Sequence, residues 1–407
     1  EGDAAKLKAD PFGHLEAIYQ KIQAEAKTDE AVREAARREL VLLQQGDAKN
    51  LELWEQFRVY TLAALDAMYG RMGVRFDHTL GESFYNDMLA GVVDDLQKRG
   101  LARESQGAVA IFSDGALPPK DDPFLVADQG GFRDNPLLIR KSDGGYNYAT
   151  TDLATVRYRH DHFKADRVIY VVGGPQQMHF RQLFAAARRW GYTEMELEHV
   201  WFGTILGPDK KPFKSRDGGT VKLKALIEEA EERAGQIILE KRPELSDIDR
   251  ATLARVVGLG ALKYADLAQN RNLDYVFSWE KLLAFDGNTA PYVQNAYVRI
   301  RAIFRKAGLK EAPAVPVQLN EPAERALAAR LLDFGDSLHL AAQEYRPHYL
   351  CLYLFELATT FHRFYESCPV LTAEPAVRDS RLVLGDLTAR TLELGLSLLG
   401  IEVVEQM

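Results

Sequence analysis

The sequence predicts an α/β region joined to an all-α region, and three observations carry that expectation. First, a continuously apolar run, Val168-Ile169-Tyr170-Val171-Val172, ends in Gly173-Gly174-Pro175, enters a helical pattern from Gln177 to Trp190, and is followed by a second apolar run from Val200 to Leu206. Strand, helix, strand with glycine at the first strand's carboxyl end is half of a doubly wound sheet, and the right-handed crossover rule fixes its hand. Second, nearly everything after Thr220 reads as helix. Third, the stretch before Pro136 mixes helical runs with short alternating segments, as an inserted α+β module does.

Residues 15 to 43 and 48 to 72 carry apolar side chains at helical spacing, with Leu15, Ile18 and Tyr19, then Leu53, Trp54, Phe57 and Tyr60, so two antiparallel helices are expected on either side of Gln45-Gly46-Asp47. A short alternation follows at Val74-Arg75-Phe76-Asp77. From Gly81 the chain enters a helix that runs to Lys98 and stops at Gly100, alternation resumes at Ala108 to Phe112, and Ser113 to Pro136 reads as a loop rich in Gly, Pro and Asp. Strand Leu137 to Arg140, a turn at Ser142-Asp143-Gly144-Gly145, strand Tyr146 to Ala149 and a helix capped by Thr151 come next. The unbroken apolar character of Val168 to Val172 predicts a strand covered on both faces. Helices are expected over Leu223 to Lys241, Asp247 to Leu267 and several stretches between Tyr292 and Leu399, with Ala312 to Val317 as a linker.

The chain has 407 residues, 46% of them apolar and 27% charged, which suits two or three globular domains and excludes a fibre or a disordered tail. No window approaches eighteen consecutive apolar residues, and the start of the chain lacks a signal layout, so a cytoplasmic location without membrane contact is expected. Two cysteines, Cys351 and Cys368, are too few for a zinc cluster and wrongly spaced for a redox pair; no metal site is expected on them. A net charge of −8 argues against a generally basic surface, yet leaves room for nucleic acid on local basic patches. No Ser/His/Asp order, metal-ligand spacing or Walker loop is present.

Four segments could carry chemistry. At Tyr148-Ala149-Thr150-Thr151-Asp152 a carboxylate sits where a sheet's carboxyl edge meets a helix; it either binds a cationic ligand group or merely stabilises the helix dipole. Gln176 and His179 follow the glycine turn, where a histidine could donate to phosphate or simply cap. Beyond Val200 to Leu206 comes a loop crowded with Lys210, Lys211, Lys214 and Arg216, at the edge where such sheets hold polyphosphates, although a solvated basic turn has the same composition. Further on, Pro291 starts a helix bearing Tyr292, Gln294, Asn295, Tyr297 and Arg299, a mixture suited to stacking and edge recognition of unpaired bases and equally compatible with an amphipathic core helix.

Four stretches together resemble the arginyl-tRNA synthetase family: Gly81 to Asn86; Asp143 to Ala154, containing Tyr-Ala-Thr-Thr-Asp; Lys211 to Leu223, containing Pro-Phe-Lys-Ser-Arg; and Phe285 to Gln294, Phe-Asp-Gly-Asn-Thr-Ala-Pro-Tyr-Val-Gln. Tyr264 to Leu267 with Asn270-Arg271, and Pro347 to Cys351 leading to Phe364-Tyr365-Glu366, add to it. The likeness runs from about residue 10 to Met407. It implies a class I ligase that forms arginyl-adenylate from L-arginine and ATP, with Mg2+, and passes the amino acid to the 3′ end of tRNA(Arg). It implies the second half of a Rossmann-type catalytic domain at 137–225, preceded by an insertion module at 1–136, a helical connector contacting tRNA at 226–284 and an all-α anticodon-binding domain at 285–407. By the same resemblance Tyr148, Asp152 and Gln176 grip the substrate guanidinium. His179, Val200, Phe202, Gly203 and Phe213 border ATP. Lys211, Lys214, Ser215 and Arg216 serve the departing pyrophosphate, and Asn270, Arg271, Tyr292, Gln294, Asn295, Tyr297 and Arg299 face tRNA. A planar fork of donors matches a carboxylate in a way a lysine ammonium does not.

Residues 212–216 depart from the family's Lys-Met-Ser-Lys-Ser signature, with Ser215 in place of its second lysine, so Lys211 or Lys214 is expected to supply the charge. The His-Ile-Gly-His signature is absent; Gly13-His14-Leu15 is only an echo of it. The polypeptide is therefore expected to lack its amino-terminal part, to be inactive or nearly so by itself, and to be a monomer. The rival expectations are a tRNA-binding chain without catalysis and another class I synthetase with a similar helical domain, such as the cysteinyl enzyme.

Overall fold

In the computed structural model residues 2–211 and 222–407 are described, and they form two units, Glu1–His78 and Thr79–Met407. Aspartates begin all four helices of the first unit: Asp3 before α1 (Ala4–Ala9), Asp10 before α2 (Pro11–Glu25), Asp29 before α3 (Glu30–Gln44) and Asp47 before α4 (Ala48–Arg71) each accept a bond from a first-turn N–H. The single helix expected over 15–43 is thus two. Asp29 accepts from Ala31 and Val32 and restarts the helix after a turn, overriding the apolar periodicity that runs across it. Val74 to Asp77 is no strand, since no described residue pairs with it as a strand would; Phe76 instead sets its ring edge-on to Tyr69 with centroids 4.9 Å apart. No described residue of this unit is fully buried.

The second unit opens with a 3-10 turn, Glu82–Tyr85, and α5 (Asn86–Lys98), then β1 (Arg103–Ser105) and β2 (Ala108–Ile111). The expected loop to Pro136 contains a hairpin, β3 (Leu125–Asp128) with β4 (Gly131–Asp134), whose strands are short and largely exposed. β5 (Leu137–Arg140) joins an antiparallel sheet in the order β1-β2-β5, so the boundary expected at 136 cuts between strands of one sheet. The second expected strand, Tyr146 to Ala149, is corrected: only a bridge from Tyr146 to Arg140 forms, and α6 (Tyr148–Asp161) begins two residues on. Asn147 occupies the cap position, leaving Thr151 inside the helix; Thr150 donates its hydroxyl to the Ile139 carbonyl and pins the helix to β5.

β6 (Arg167–Gly173), α7 (Gln177–Trp190) and β7 (Glu196–Phe202) form the expected crossover, with β6 and β7 parallel and in register from Arg167 opposite Glu196 to Gly173 opposite Phe202. α7 ends on Gly191 at φ +118, a conformation side chains resist. One face of β6, with Val168 and Tyr170, packs in a core with Leu153, Val156, Phe180, Leu183 and Phe184. The expectation of two covered faces fails: Ile169 is 43% and Val171 66% exposed. Among the described residues no strand pairs with the other edge of β6.

The run expected as one strand from Val200 to Leu206 is broken at Gly203. There the backbone meets that of Leu273 so closely that a Cβ would lie 2.6 Å from its carbonyl oxygen, and the chain changes partner, β8 (Ile205–Leu206) pairing in parallel with β9 (Tyr275–Val276). α8 (Leu223–Lys241) and α9 (Asp247–Leu267) pack together beside α10 (Trp279–Leu282). Then come α11 (Ala290–Ala307), α12 (Pro322–Leu332), α13 (Phe334–Gln343), α14 (His348–Ser367) and α15 (Pro375–Leu398), built on a core that includes Tyr264, Ile300, Leu327, Leu354, Phe361, Leu392 and Leu396. Cys351 and Cys368 are free and buried in it.

Candidate active site

Helix α6 presents Tyr148, Thr151, Asp152, Thr155 and Arg159 at offsets of three, four, seven and eleven residues, the spacing that puts side chains on one helical stripe. That stripe forms one wall of a cleft of about 610 Å3, closed by Tyr170 and Val172 of β6, by Gln176, His179 and Phe180 at the start of α7, and by Leu80, Glu82 and Tyr85. Asp152 is its centre. Its Oδ2 lies 2.6 Å from His179 Nε2, with the two side chains 32% and 25% exposed. Tyr148, the first residue of α6, reaches out at 70% exposure, and Gln176 is also solvent-facing. Arg159 lies over the Tyr170 ring, its Cζ 5.0 Å from the centroid. Burial pushes the Tyr170 phenol up to about 12, with Arg159 opposing and Asp152 adding, so at neutral pH it stays protonated.

The three residues expected to grip a guanidinium, Tyr148, Asp152 and Gln176, therefore share one cleft, and His179 joins them there. Thr155, Arg159, Tyr170 and Glu82 were missed. The helical stripe from Asp152 would have revealed Thr155 and Arg159, and Glu82 lies in the Gly81 to Asn86 stretch singled out above without a role, whereas Tyr170 arrives from β6, which has no sequence link to that stripe.

The residues expected around a nucleotide lie at the end of β7. Val200 is buried, Phe202 is exposed, and Gly203 donates its N–H to the Arg271 carbonyl at 2.7 Å. Gly174, the first residue after β6, sits so near β7 that a Cβ would be 3.3 Å from the Trp201 ring and 3.4 Å from the Phe202 carbonyl. After β8 a tight turn brings the Lys211 carbonyl to the Gly207 N–H at 2.8 Å, with Lys210 at φ +56. Lys211 is exposed and is not among the residues lining the Asp152 cleft. Phe213, Lys214, Ser215 and Arg216 lie outside the described residues.

The residues expected to face tRNA separate into two groups. Gln294 is fully buried and donates to the Glu402 carbonyl at 2.8 Å; Tyr297 is buried and bonds Glu405 at 3.0 Å; the Tyr292 hydroxyl meets Thr359 at 3.2 Å. Asn270 accepts from the Asn272 N–H at 3.2 Å, and the Arg271 guanidinium is occupied by carbonyls of Trp201 and Tyr345 and by Asn272. These side chains tie the fold together. Asn295 and Arg299, in contrast, line an open groove of about 650 Å3 with Lys306, Tyr365 and Glu366, and Arg299 lies 5.3 Å from the Tyr365 centroid.

Residues 1–279 match the family described as the catalytic domain of class I tRNA synthetases (R), and residues 293–407 match the DALR anticodon binding domain. The arginine–tRNA ligase of Chromobacterium violaceum is 46% identical over 97% of this chain and 67% of its own length. That of Thermobifida fusca is also 46% identical, over 100% of this chain and 69% of its own. The chain belongs to the arginyl-tRNA synthetase family. The Thermus thermophilus arginyl-tRNA synthetase superposes with a TM-score of 0.79 at 27% identity, covering 96% of this chain and 69% of that one. The chain thus spans about two thirds of the length of these arginyl-tRNA synthetases. Membership sets aside the cysteinyl alternative and carries the implications of its class: ATP as the energy source, and arginine and tRNA as the molecules joined.

Proposed function

We propose that this chain acts in arginine–tRNA ligation, with the α6–β6–α7 cleft seating the side chain of L-arginine. The observation that carries this is the Asp152 carboxylate, half-open in a cleft, held at one oxygen by His179 and flanked by the exposed Tyr148 and Gln176. A carboxylate so placed can take two parallel N–H groups of a guanidinium; a lysine ammonium offers no such fork. A site of this kind discriminates by leaving its polar groups unpaired with the wrong ligand.

ATP belongs at the carboxyl end of β6 and β7, where Val200, Phe202 and Gly203 meet the glycine turn. In parallel sheets that end gathers ligands. The segment from Lys211 through Phe213, Lys214, Ser215 and Arg216 follows that edge and is assigned to the departing pyrophosphate, where cations aimed at developing charge do most of the work. Mg2+ is assigned to the nucleotide phosphates, whose charge it would neutralise. Asn295 and Arg299 on the helical groove, with Tyr365 as a stacking platform, are assigned to tRNA(Arg), while Gln294 and Tyr297 hold α11 to the Glu402–Glu405 segment and Asn270 and Arg271 brace the end of β7. No described helix is long and apolar enough to cross a membrane.

By itself the polypeptide is expected to make little or no adenylate. Ligands of a doubly wound sheet bind between strands whose crossovers run in opposite directions, and among the described residues β6 is paired only with β7, to which the single crossover through α7 joins it. Pyrophosphate exchange with tRNA present decides this, robust turnover being the overturning result. Calorimetric titration with L-arginine tests the cleft itself: uptake by the unmodified chain, its loss in Asp152→Ala and no response to L-lysine are expected. Equal uptake of arginine and lysine removes Asp152 from the guanidinium role.

A further inference from the structure

We infer that His179 is a positioning residue for Asp152, serving the arginine side of the reaction and not the nucleotide. The inference rests on the arginine reading of the cleft and names a second residue on which that reading depends. His179 is the third residue of α7, and its Nε2 meets Asp152 Oδ2 at 2.6 Å across the cleft. A carboxylate oxygen accepts only, so the imidazole carries its proton on Nε2 and donates it.

The imidazole is itself held. Its ring stands edge-on to Phe180 at 72°, with centroids 5.4 Å apart. Phe180 is buried and lies against Tyr170 at 5.0 Å, Phe184 at 5.7 Å and the ring of His199 at 4.4 Å. His199 Nε2 in turn sits 3.0 Å from the Val172 carbonyl of β6. A chain of packed rings therefore runs from the parallel sheet to the carboxylate, and its last link is a hydrogen bond to a charged group.

The consequence is geometric. An aspartate on a helix face samples more than one staggered χ1 rotamer and a broad range of χ2, and a guanidinium fork demands one carboxylate plane. Bonding one lone pair of Oδ2 fixes that plane and leaves Oδ1 and the second lone pair of Oδ2 free to accept the fork, so less ordering remains when arginine arrives. Nothing in this arrangement requires the nucleotide. A histidine serving phosphate oxygens would have to give up the Asp152 bond or use Nδ1.

The test compares His179→Phe with His179→Gln in the full chain, titrated by calorimetry with L-arginine and, separately, with ATP. Loss of a hydrogen bond to a charged group corresponds to roughly a 10- to 100-fold effect. His179→Phe is expected to weaken arginine by that factor and to leave the ATP affinity unchanged. His179→Gln, whose amide nitrogen can occupy the Nε2 position, is expected to restore most of it. A second readout needs no ligand: the Nε2–H of His179 is expected in the nitrogen–proton spectrum and to shift or exchange away in Asp152→Ala. A loss confined to ATP in His179→Phe, failure of glutamine to rescue, or an unchanged spectrum overturns the inference. If Asp152→Ala weakens arginine while His179→Phe does not, only the inference falls. If Asp152→Ala binds arginine normally, or the unmodified chain takes up none, the reading of the cleft falls and this assignment with it.

Discussion

Two carboxylates show how the same side-chain chemistry becomes a site in one region and a fastening in another. Asp152 meets His179 at 2.6 Å and Glu324 meets Arg381 at 2.7 Å. Asp152 is about a third exposed and opens on a cleft. Glu324 is 1% exposed, and its remaining oxygen accepts the N–H groups of Asn320 at 2.7 Å and Glu321 at 2.9 Å, while Arg381 also donates to the Pro369 carbonyl at 2.7 Å. Both oxygens of Glu324 are engaged, and the pair fastens Asn320 and Glu321 to α15. Asp152 keeps acceptor capacity in reach of a ligand. Spare, reachable valence separates a binding group from a structural one; charge type and pairing distance do not.

The comparison breaks most visibly in stability. Glu324→Ala leaves a buried guanidinium without its counter-ion and is expected to cost about 3–5 kcal/mol in urea unfolding. Asp152→Ala removes a half-open group and is expected to change unfolding by less than about 1 kcal/mol while abolishing arginine uptake. If the two variants exchange these phenotypes, exposure is the wrong criterion. Adjacent residues of α11 give a smaller version of the contrast. Gln294→Ala removes a fully buried donor to the Glu402 carbonyl and is expected to destabilise by about 1 kcal/mol. Asn295→Ala, one residue on and facing the groove, is expected to leave unfolding nearly unchanged and to weaken tRNA(Arg) measured by filter binding. A neutral effect of Gln294→Ala on stability would mean that the buried amide bond contributes nothing net.

Much of this architecture was legible in the chain. The β6–α7–β7 crossover, the pair α8 and α9 and the start of α11 at Pro291 follow from apolar period, glycine turns and caps. What escaped did so for definable reasons. The hairpin of β3 and β4 has exposed four-residue strands with no alternation to read. Ile169 and Val171 share the apolar character of Val168 and Tyr170, so composition could not say that one face of β6 is uncovered. On α11 the run Tyr292, Gln294, Asn295, Tyr297, Arg299 looks uniformly suited to bases. Only the helix phase against α14 and the Glu402–Glu405 segment shows that Gln294 and Tyr297 point inward and Asn295 and Arg299 outward. In the cleft, the carboxylate and its helical stripe were readable from spacing, whereas the partnership of Asp152 with His179 joins residues 27 apart and depends on the crossover that brings α7 beside α6.

The smallest expected effect sharpens the comparison from the helical side. Beneath the groove, His362 Nδ1 faces the Arg299 guanidinium at 3.2 Å, so the imidazole must offer a lone pair there. Burial, and then the adjacent Arg299 charge, push its pKa down from the usual histidine value to about 4. The unfolded chain, with an ordinary histidine near 6.5, then holds more protons than the folded one between about pH 4 and 6.5. Stability contributed by the neutral ring is present above that window and declines as pH falls through it. His362→Asn keeps a carbonyl to accept from Arg299 but cannot titrate. Urea unfolding across pH 7 to 4 is expected to show a shallower decline in the variant than in the unmodified chain, by an amount well below the Glu324→Ala effect because the ring is only partly buried. Identical slopes would mean that His362 takes up its proton as readily in the folded domain as outside it, and that the Arg299 contact does not govern this side of the groove.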